Sequence, residues 1–350
     1  MGLDIYVIGA RIGESIVIRT PAGAFGVIDS YASQPTNPTT NPTLVRLSSL
    51  GAERLRFLAL SHPHMDHFLG LPTIFTTYKG AIDEFWKPPF GHPNWGALFA
   101  EFIEEFNAEE SEIERERITE RIKVFRQILG LAKGEKPKMK SVLTQDAKTL
   151  YEETAHELSI ECLGPCTDIV DKYQEDLAKK VIVKGLHTSN AAHNLVSSVI
   201  AIRYKNWVGL FGGDTEKLSW NEIFDRCKGM GLSKTRFVKV AHHGSPTGSF
   251  DRFWDHLKVK NGDAVVTCYA AQNLPNAEGL RPIYEKEFQL HSTNSSLARE
   301  LTKMRPTASA RTPSLSSLRK VPAGGEVHIA VDDAGRVRVR YFGKAGRLLP

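Results

Sequence analysis

Several things are scarce or missing in this chain, and each absence narrows its class. Its four cysteines, Cys162, Cys166, Cys227 and Cys268, contain no Cys-x-x-Cys pair. They are therefore assigned to packing, as free thiols. No apolar run approaches the roughly eighteen residues needed to span a bilayer, and the start Met1-Gly2-Leu3-Asp4 lacks the basic and apolar regions of a signal peptide. The expectation is a cytoplasmic protein with no membrane partner. Charge of one sign is also lacking: Lys plus Arg number 45 against 40 Asp plus Glu, a net +5 that permits a polyanionic partner without arguing for one. There is no internal repeat.

What is present is an ordinary globular composition, 41% hydrophobic and 24% charged over 350 residues, enough to bury a full core. Leu3 to Ile8 and Glu14 to Arg19 read as paired strands turning near Gly9 and Gly13, with a third strand at Gly26-Val27-Ile28-Asp29. Gln34 to Asn41 is a loop by composition, and Pro42 to Leu50 reads as a short helix. Further strands are expected at Leu158 to Pro165, Ser197 to Tyr204, Trp207 to Phe211, Arg236 to Ala241 and Ala264 to Cys268. Alternating strands and helices place the chain in the α/β class.

Residues 83–140 differ in character. Apolar residues recur at helical spacing, at Phe99, Phe102, Ile103 and Phe106 and again at Ile118, Ile122, Phe125 and Leu129, which predicts a helical insertion that caps the core or docks a protein partner. Lys133 to Lys140, with four lysines, reads as the flexible basic loop that closes it. Residues 299–350 form a basic tail. Arg299 to Lys320 carries six basic residues and one acidic, its Arg305 to Ser317 part reading as a linker. A closing β-hairpin follows, Gly325 to Val331 and Arg336 to Phe342.

The chemistry concentrates in Ser61-His62-Pro63-His64-Met65-Asp66-His67, three imidazoles and a carboxylate in six residues directly after the apolar run Leu55 to Leu60. A lone histidine is usually neither ligand nor catalyst. Four potential ligands this close reverse that expectation, because imidazole and carboxylate are the groups that bind zinc and similar metals. His193, Asp214 and the pair His242-His243, each at a strand end or in a loop, supply what the first motif lacks. A dinuclear hydrolytic site needs about three ligands per metal plus a shared anion. The assignment is His62, His64 and His193 on one metal, Asp66, His67 and His243 on the other, and Asp214 between them.

These residues, taken in order, resemble a metallo-β-lactamase-fold hydrolase, and specifically the hydrolase domain of ComEC-type DNA-uptake proteins. The matching features are Gly13-Glu14-Ser15, Ile28-Asp29, Leu60 to His67 with Gly70-Leu71, Gly164-Pro165, Asn194 with Ser197, Gly213-Asp214, and Val238-Lys239-Val240-Ala241-His242-His243-Gly244-Ser245. The resemblance covers most of residues 3–80 and 155–270. It implies an αββα four-layer sandwich formed by one domain over residues 1–350, with a metal site along one edge. It also favours His243 over His242 as ligand, since the metal-binding histidine of that superfamily commonly precedes a glycine, and it gives Asp29 the part of supporting the histidine loop. His242 is then left beside the site, to donate a proton to a leaving oxygen or to orient a ligand.

The chain departs from the family in three places. The 350 residues contain no membrane channel, so a role in DNA import is not expected. The position of His193 often lacks a histidine in that group, which leaves Asn194 and His187 as rivals for the third ligand. A Tyr-Gly-His-Pro motif is replaced by Tyr269-Ala270-Ala271-Gln272-Asn273-Leu274-Pro275.

The function expected is a metal-dependent phosphodiester hydrolase, a nuclease acting on DNA, that uses a hydroxide bridging two divalent ions. The catalytic candidates are Asp66, on the second metal, and His242. Ligands of nitrogen and oxygen without thiolate suit zinc first, and manganese is compatible. RNA or a nucleotide is an alternative substrate. A small-molecule esterase of the phosphocholine type and a non-catalytic scaffold are the alternative functions, told apart by activity on short diesters and by the effect of replacing Asp66 or Asp214. Ser245 and Thr247 can bind a phosphate oxygen, although turn formation is the commoner use of Ser and Thr after glycine.

Overall fold

In a computed structural model the described residues are 2–10, 12–88, 123–124, 127–141, 147–182, 191–228, 230–294 and 324–348. Among them sixteen strands follow in chain order. They are β1 (Leu3–Ala10), β2 (Gly13–Arg19), β3 (Phe25–Ile28), β4 (Phe57–Ala59), β5 (Glu84–Lys87), β6 (Lys138–Ser141), β7 (Lys148–Glu153) and β8 (Leu158–Gly164), then β9 (Val199–Tyr204), β10 (Trp207–Phe211), β11 (Phe237–Lys239), β12 (Asp263–Val266), β13 (Gln289–Ser292), β14 (Glu326–Val331), β15 (Val337–Phe342) and β16 (Gly346–Arg347). They form two mixed eight-stranded sheets, ordered β15-β14-β1-β2-β3-β4-β5-β6 and β16-β13-β12-β11-β10-β9-β8-β7.

The two-residue alternation of strand side chains decides the layering. Along β1, Leu3, Ile5 and Val7 join the core between the sheets, where they meet Ile160, Ile200, Ile202 and Phe211 of the other sheet. Tyr6 and Ile8 face the opposite way, onto Leu44 and Leu47 of the Pro42–Ser49 helix and Ile74 and Phe75 of the Leu71–Thr77 helix. β9 behaves likewise, with Ile200 and Ile202 inward and Val199 and Ala201 packed in a third core with Trp220, Phe253 and Leu280 from helices Lys217–Arg226, Asp251–His256 and Ala277–Glu285. Both strand faces are apolar because both are covered. Each fully buried aromatic or aliphatic side chain contributes about 1.5–3 kcal/mol, and three contiguous cores hold helix, sheet, sheet and helix together. This is the αββα sandwich of the metallo-β-lactamase fold that the sequence resemblance implies.

Two local expectations are corrected. Glu84–Lys87 and Lys138–Ser141, the two ends of the stretch read as an insertion, are strands that extend the first sheet in parallel from β4. Residues 127–135 are helical, so the lysine-rich run leaves a helix and enters a strand instead of forming a loop. Among the described residues β6 is the edge strand of its sheet, which explains how a run of lysines fits a sheet: one side of an edge faces solvent, where charge discourages pairing with other chains. The helical pattern at Phe99 to Phe125 and the linker Arg305 to Ser317 lie outside the described residues. The closing hairpin forms as read, with Glu326–Val331 antiparallel to Val337–Phe342.

Candidate metal centre

β4 ends at Ala59 and the chain turns through Ser61 to His64 into a single helical turn, Met65–Phe68. Asp29 organises that turn. Its backbone is left-handed, φ 57°, and its carboxylate accepts from the Ser61 amide at 2.7 Å, the Ser61 hydroxyl at 2.6 Å and Nδ1 of His67 at 2.7 Å. From the second sheet, Gly213 (φ 50°) turns the chain after β10, and a Cβ there would lie 2.5 Å from Ser197 Oγ. That hydroxyl accepts from the Asp214 amide at 2.9 Å and fixes the carboxylate. After β11, His242 and His243 both take left-handed backbone, φ 47° and 50°. Non-glycine residues held there cost on the order of 1–3 kcal/mol each and concentrate at functional sites.

Six of the seven expected ligands come together. Single donor atoms of Asp66, His67, Asp214 and His243 all lie within 4.8 Å of one another, as do those of His62, His64 and Asp214. Individual separations are 3.3 Å from His67 Nε2 to Asp66 Oδ2, 3.2 Å to Asp214 Oδ1, 3.7 Å from His243 Nε2 to Asp214 Oδ1 and 3.5 Å from His62 Nε2 to Asp214 Oδ2. Donors about 2.0–2.1 Å from a tetrahedral ion stand roughly 3.3 Å apart. His67 Nε2 and Asp214 Oδ1 are buried and, despite their closeness, make no hydrogen bond. Orphaned polar atoms that converge without hydrogen-bond geometry fit a cation between them, and Asp214 has a carboxylate oxygen toward each histidine group.

The electrostatics agree. Burial alone would push the carboxyls of Asp66 and Asp214 up, yet His67 and the neighbouring histidines hold both well below the ordinary range. Burial would lower His67, but Asp214, Asp66 and Asp29 drive it well above the ordinary range. His64 is lowered by burial and then by His62 and His193. The centre is thus a buried anionic cluster that favours positive charge on the Asp66, His67 and Asp214 side and neutral imidazole on the His64 side.

His193 stands beside the His62 and His64 group, its ring centroid 5.3 Å from that of His64, with Nδ1 3.0 Å from the Tyr173 hydroxyl. Its rival Asn194 donates to Glu216 at 3.2 Å. His187 lies outside the described residues. His242 lines the cavity and is gripped by Glu216, Nδ1 to Oε1 3.0 Å; burial lowers its pKa, but the bond to Glu216 leaves it raised. Thr247 donates to the same carboxylate at 2.9 Å, and Ser245 Oγ accepts from the Gly248 amide at 3.1 Å, so both hydroxyls are used in the turn.

Sequence reasoning missed Glu216, Thr267 and Tyr173, and read Glu14 and Lys239 only as motif residues with no part of their own. Only Lys239 carried a signal, as the single charge in the apolar run Phe237 to Ala241.

A cavity of about 280 Å³ opens over the donors, lined by His64, Met65, Asp66, Asn194, Asp214, Glu216, His242, His243, Tyr269 and Gln272. A larger one, about 490 Å³, lies between the Pro42–Ser49 helix and the closing hairpin. It holds no metal-ligating cluster among the described residues, so the smaller cavity is the candidate site. Among the described residues no helix is long and apolar enough to cross a membrane.

No family profile matches the chain, and no curated protein matches it. Among solved structures, a new diphosphatase from the PhnP family shares 14% identity over 82% of this chain and 94% of its own, TM-score 0.39. The metallo-beta-lactamase fold protein YhfI from Bacillus subtilis shares 10% over 83% and 96%, TM-score 0.40. Human tRNase Z, short form, shares 14% over 75% and 91%, TM-score 0.37.

Proposed function

We propose that this protein is a metal-dependent phosphodiester hydrolase that acts on nucleic acid, with DNA as the leading substrate. The observation that carries the reading is the convergence of imidazole and carboxylate donors at metal-ligand spacing around Asp214, whose Oδ1 and the nearby Nε2 of His67 are buried without hydrogen bonds. Two divalent ions, zinc first and manganese compatible, would be held by His62, His64 and His193 and by Asp66, His67 and His243, with Asp214 shared. When bound, such ions lower the pKa of water to supply a nucleophile at neutral pH and neutralise charge on the phosphoryl group.

The chain's own residues do the rest. Asp29 orients His67, and Ser197 orients Asp214. Glu216 occupies Nδ1 of His242, a residue that lines the cavity, which leaves the other ring nitrogen to hydrogen-bond the leaving oxygen of the ester. Among the described residues the lining contains no lysine or arginine, so the proposed role of neutralising the anionic ester falls to the metals. The cavity has a volume of about 280 Å³. It suits one phosphodiester linkage of a longer chain. Arg338 and Arg340 are exposed on strand β15 and offer positive charge to a long polyanion.

The test is metal analysis of the purified protein together with a panel of plasmid, linear and single-stranded DNA, RNA and a small chromogenic phosphodiester. Cleavage of DNA that is lost with the metal in Asp66→Ala and Asp214→Ala supports the proposal. Preference for the small diester moves the function to an esterase, and an unchanged biological effect of the two variants would make the fold a scaffold.

A further inference from the structure

Two motif residues remain without a part in the site, Glu14 and Lys239. Both are side chains about 1% exposed or less. Glu14 sits on β2 of the first sheet and Lys239 on β11 of the second, and they form an ion pair across the sandwich. Thr267, just past β12, donates its hydroxyl proton to Glu14 Oε2 at 2.6 Å, while its oxygen lies 3.0 Å from Nδ1 of His243. The other Glu14 oxygen is 3.9 Å from Nδ1 of His67.

The order of donors along this chain follows from chemistry. A carboxylate paired with an ammonium can only accept, so the Thr267 proton points to Glu14. The Thr267 oxygen is then left as an acceptor, and the only hydrogen His243 can offer it is on Nδ1. That tautomer leaves the lone pair of His243 on Nε2, the atom 2.9 Å from Asp66 Oδ2 within the ligand cluster. We propose that Glu14, held by Lys239, is a positioning residue that sets the His243 tautomer through Thr267 and so fixes the affinity of the metal position formed by Asp66, His67 and His243. Glu14, Asp29 and His67 are close enough to form a metal-ligating group of their own, and Lys239 pairs with its Glu14 member.

This inference rests on the proposed metal centre and extends it. Removing Glu14 or Lys239 singly strands the partner as a buried charge and threatens the fold, so Thr267, which leaves the ion pair intact, is the residue to change. In cobalt-substituted protein, native chains should take up two Co(II) ions with measurable d–d bands. Thr267→Val should weaken one of the two about 10–100-fold and shift its bands, leaving the other unchanged, and Thr267→Ser should restore both. Native affinity and spectrum in Thr267→Val, or failure of Thr267→Ser to restore them, overturns the inference while leaving the metal centre standing. Uptake of no cobalt by the native protein overturns the metal centre itself. Should Thr267→Val not fold, long-range ¹H–¹⁵N spectra of the metal-free native protein decide: a proton on Nδ1 of His243 is expected, and a neutral ring protonated only on Nε2 contradicts the relay.

Discussion

Nδ1 of His67 lies 2.7 Å from Oδ2 of Asp29, a carboxylate from the end of β3 that also closes the Ser61 turn. One acidic side chain therefore fixes both the loop that carries the ligands and the ring orientation of one ligand. Asp29→Asn keeps the shape but removes the charge that makes His67 a strong donor. Metal affinity should fall about 10–100-fold, read by competition with a chromogenic chelator, and activity at saturating metal should recover most of its native level.

Gly213 is the position where a backbone demand is sharpest. Its φ of 50° and the 2.5 Å approach a Cβ would make to Ser197 Oγ strain any side chain. Gly213→Ala should lower stability by about 1–3 kcal/mol and, by moving Asp214, reduce metal content. Urea unfolding followed by fluorescence of the buried tryptophans measures the first effect and metal analysis the second.

His242 and Glu216 separate binding from turnover. His242 reaches the cavity but lies outside the metal-ligating groups of the described residues. His242→Ala should keep both ions and lower kcat about 10²–10⁴-fold, and Glu216→Gln should lower it less. Loss of metal in His242→Ala would reassign that residue to the ligand set.

The cysteines give a prediction independent of the metal. All four are buried thiols outside any disulfide, and burial pushes those of Cys162 and Cys268 up to about 12. The folded protein should react with a thiol-specific reagent at pH 8 orders of magnitude more slowly than the urea-unfolded chain, in which all four thiols titrate.

The ligand-bearing motif was legible because its residues are neighbours in sequence: His62 to His67 announce themselves in six positions, and Gly213-Asp214 and His242-His243 follow strands whose apolar runs are plain. Supporting groups were less legible, since their meaning arises only when distant segments meet. Thr267 and Glu14 are 253 positions apart and belong to different sheets. Glu216 is an unremarkable acid until the turn after Asp214 brings it against His242. Strands β5 and β6 were hidden for a different reason: Lys138-Met139-Lys140 has the charge of a loop, and only its place at a sheet edge makes the strand acceptable.

If the substrate is a long polyanion, its binding should weaken as salt rises, because neutralised phosphates release counterions. Replacing Arg338 and Arg340 with glutamate should reduce both affinity and the slope of log Kd against log salt by roughly one to two contacts, with cleavage of a small diester unaffected. A flat salt response, or equal loss on the small diester, removes the extended-substrate reading.

The most direct test of the centre is anomalous diffraction at the zinc edge from crystals grown with the metal. Two peaks are predicted, one among His62, His64, His193 and Asp214 and one among Asp66, His67, His243 and Asp214. Strong anomalous density elsewhere, with none between these side chains, would contradict the account.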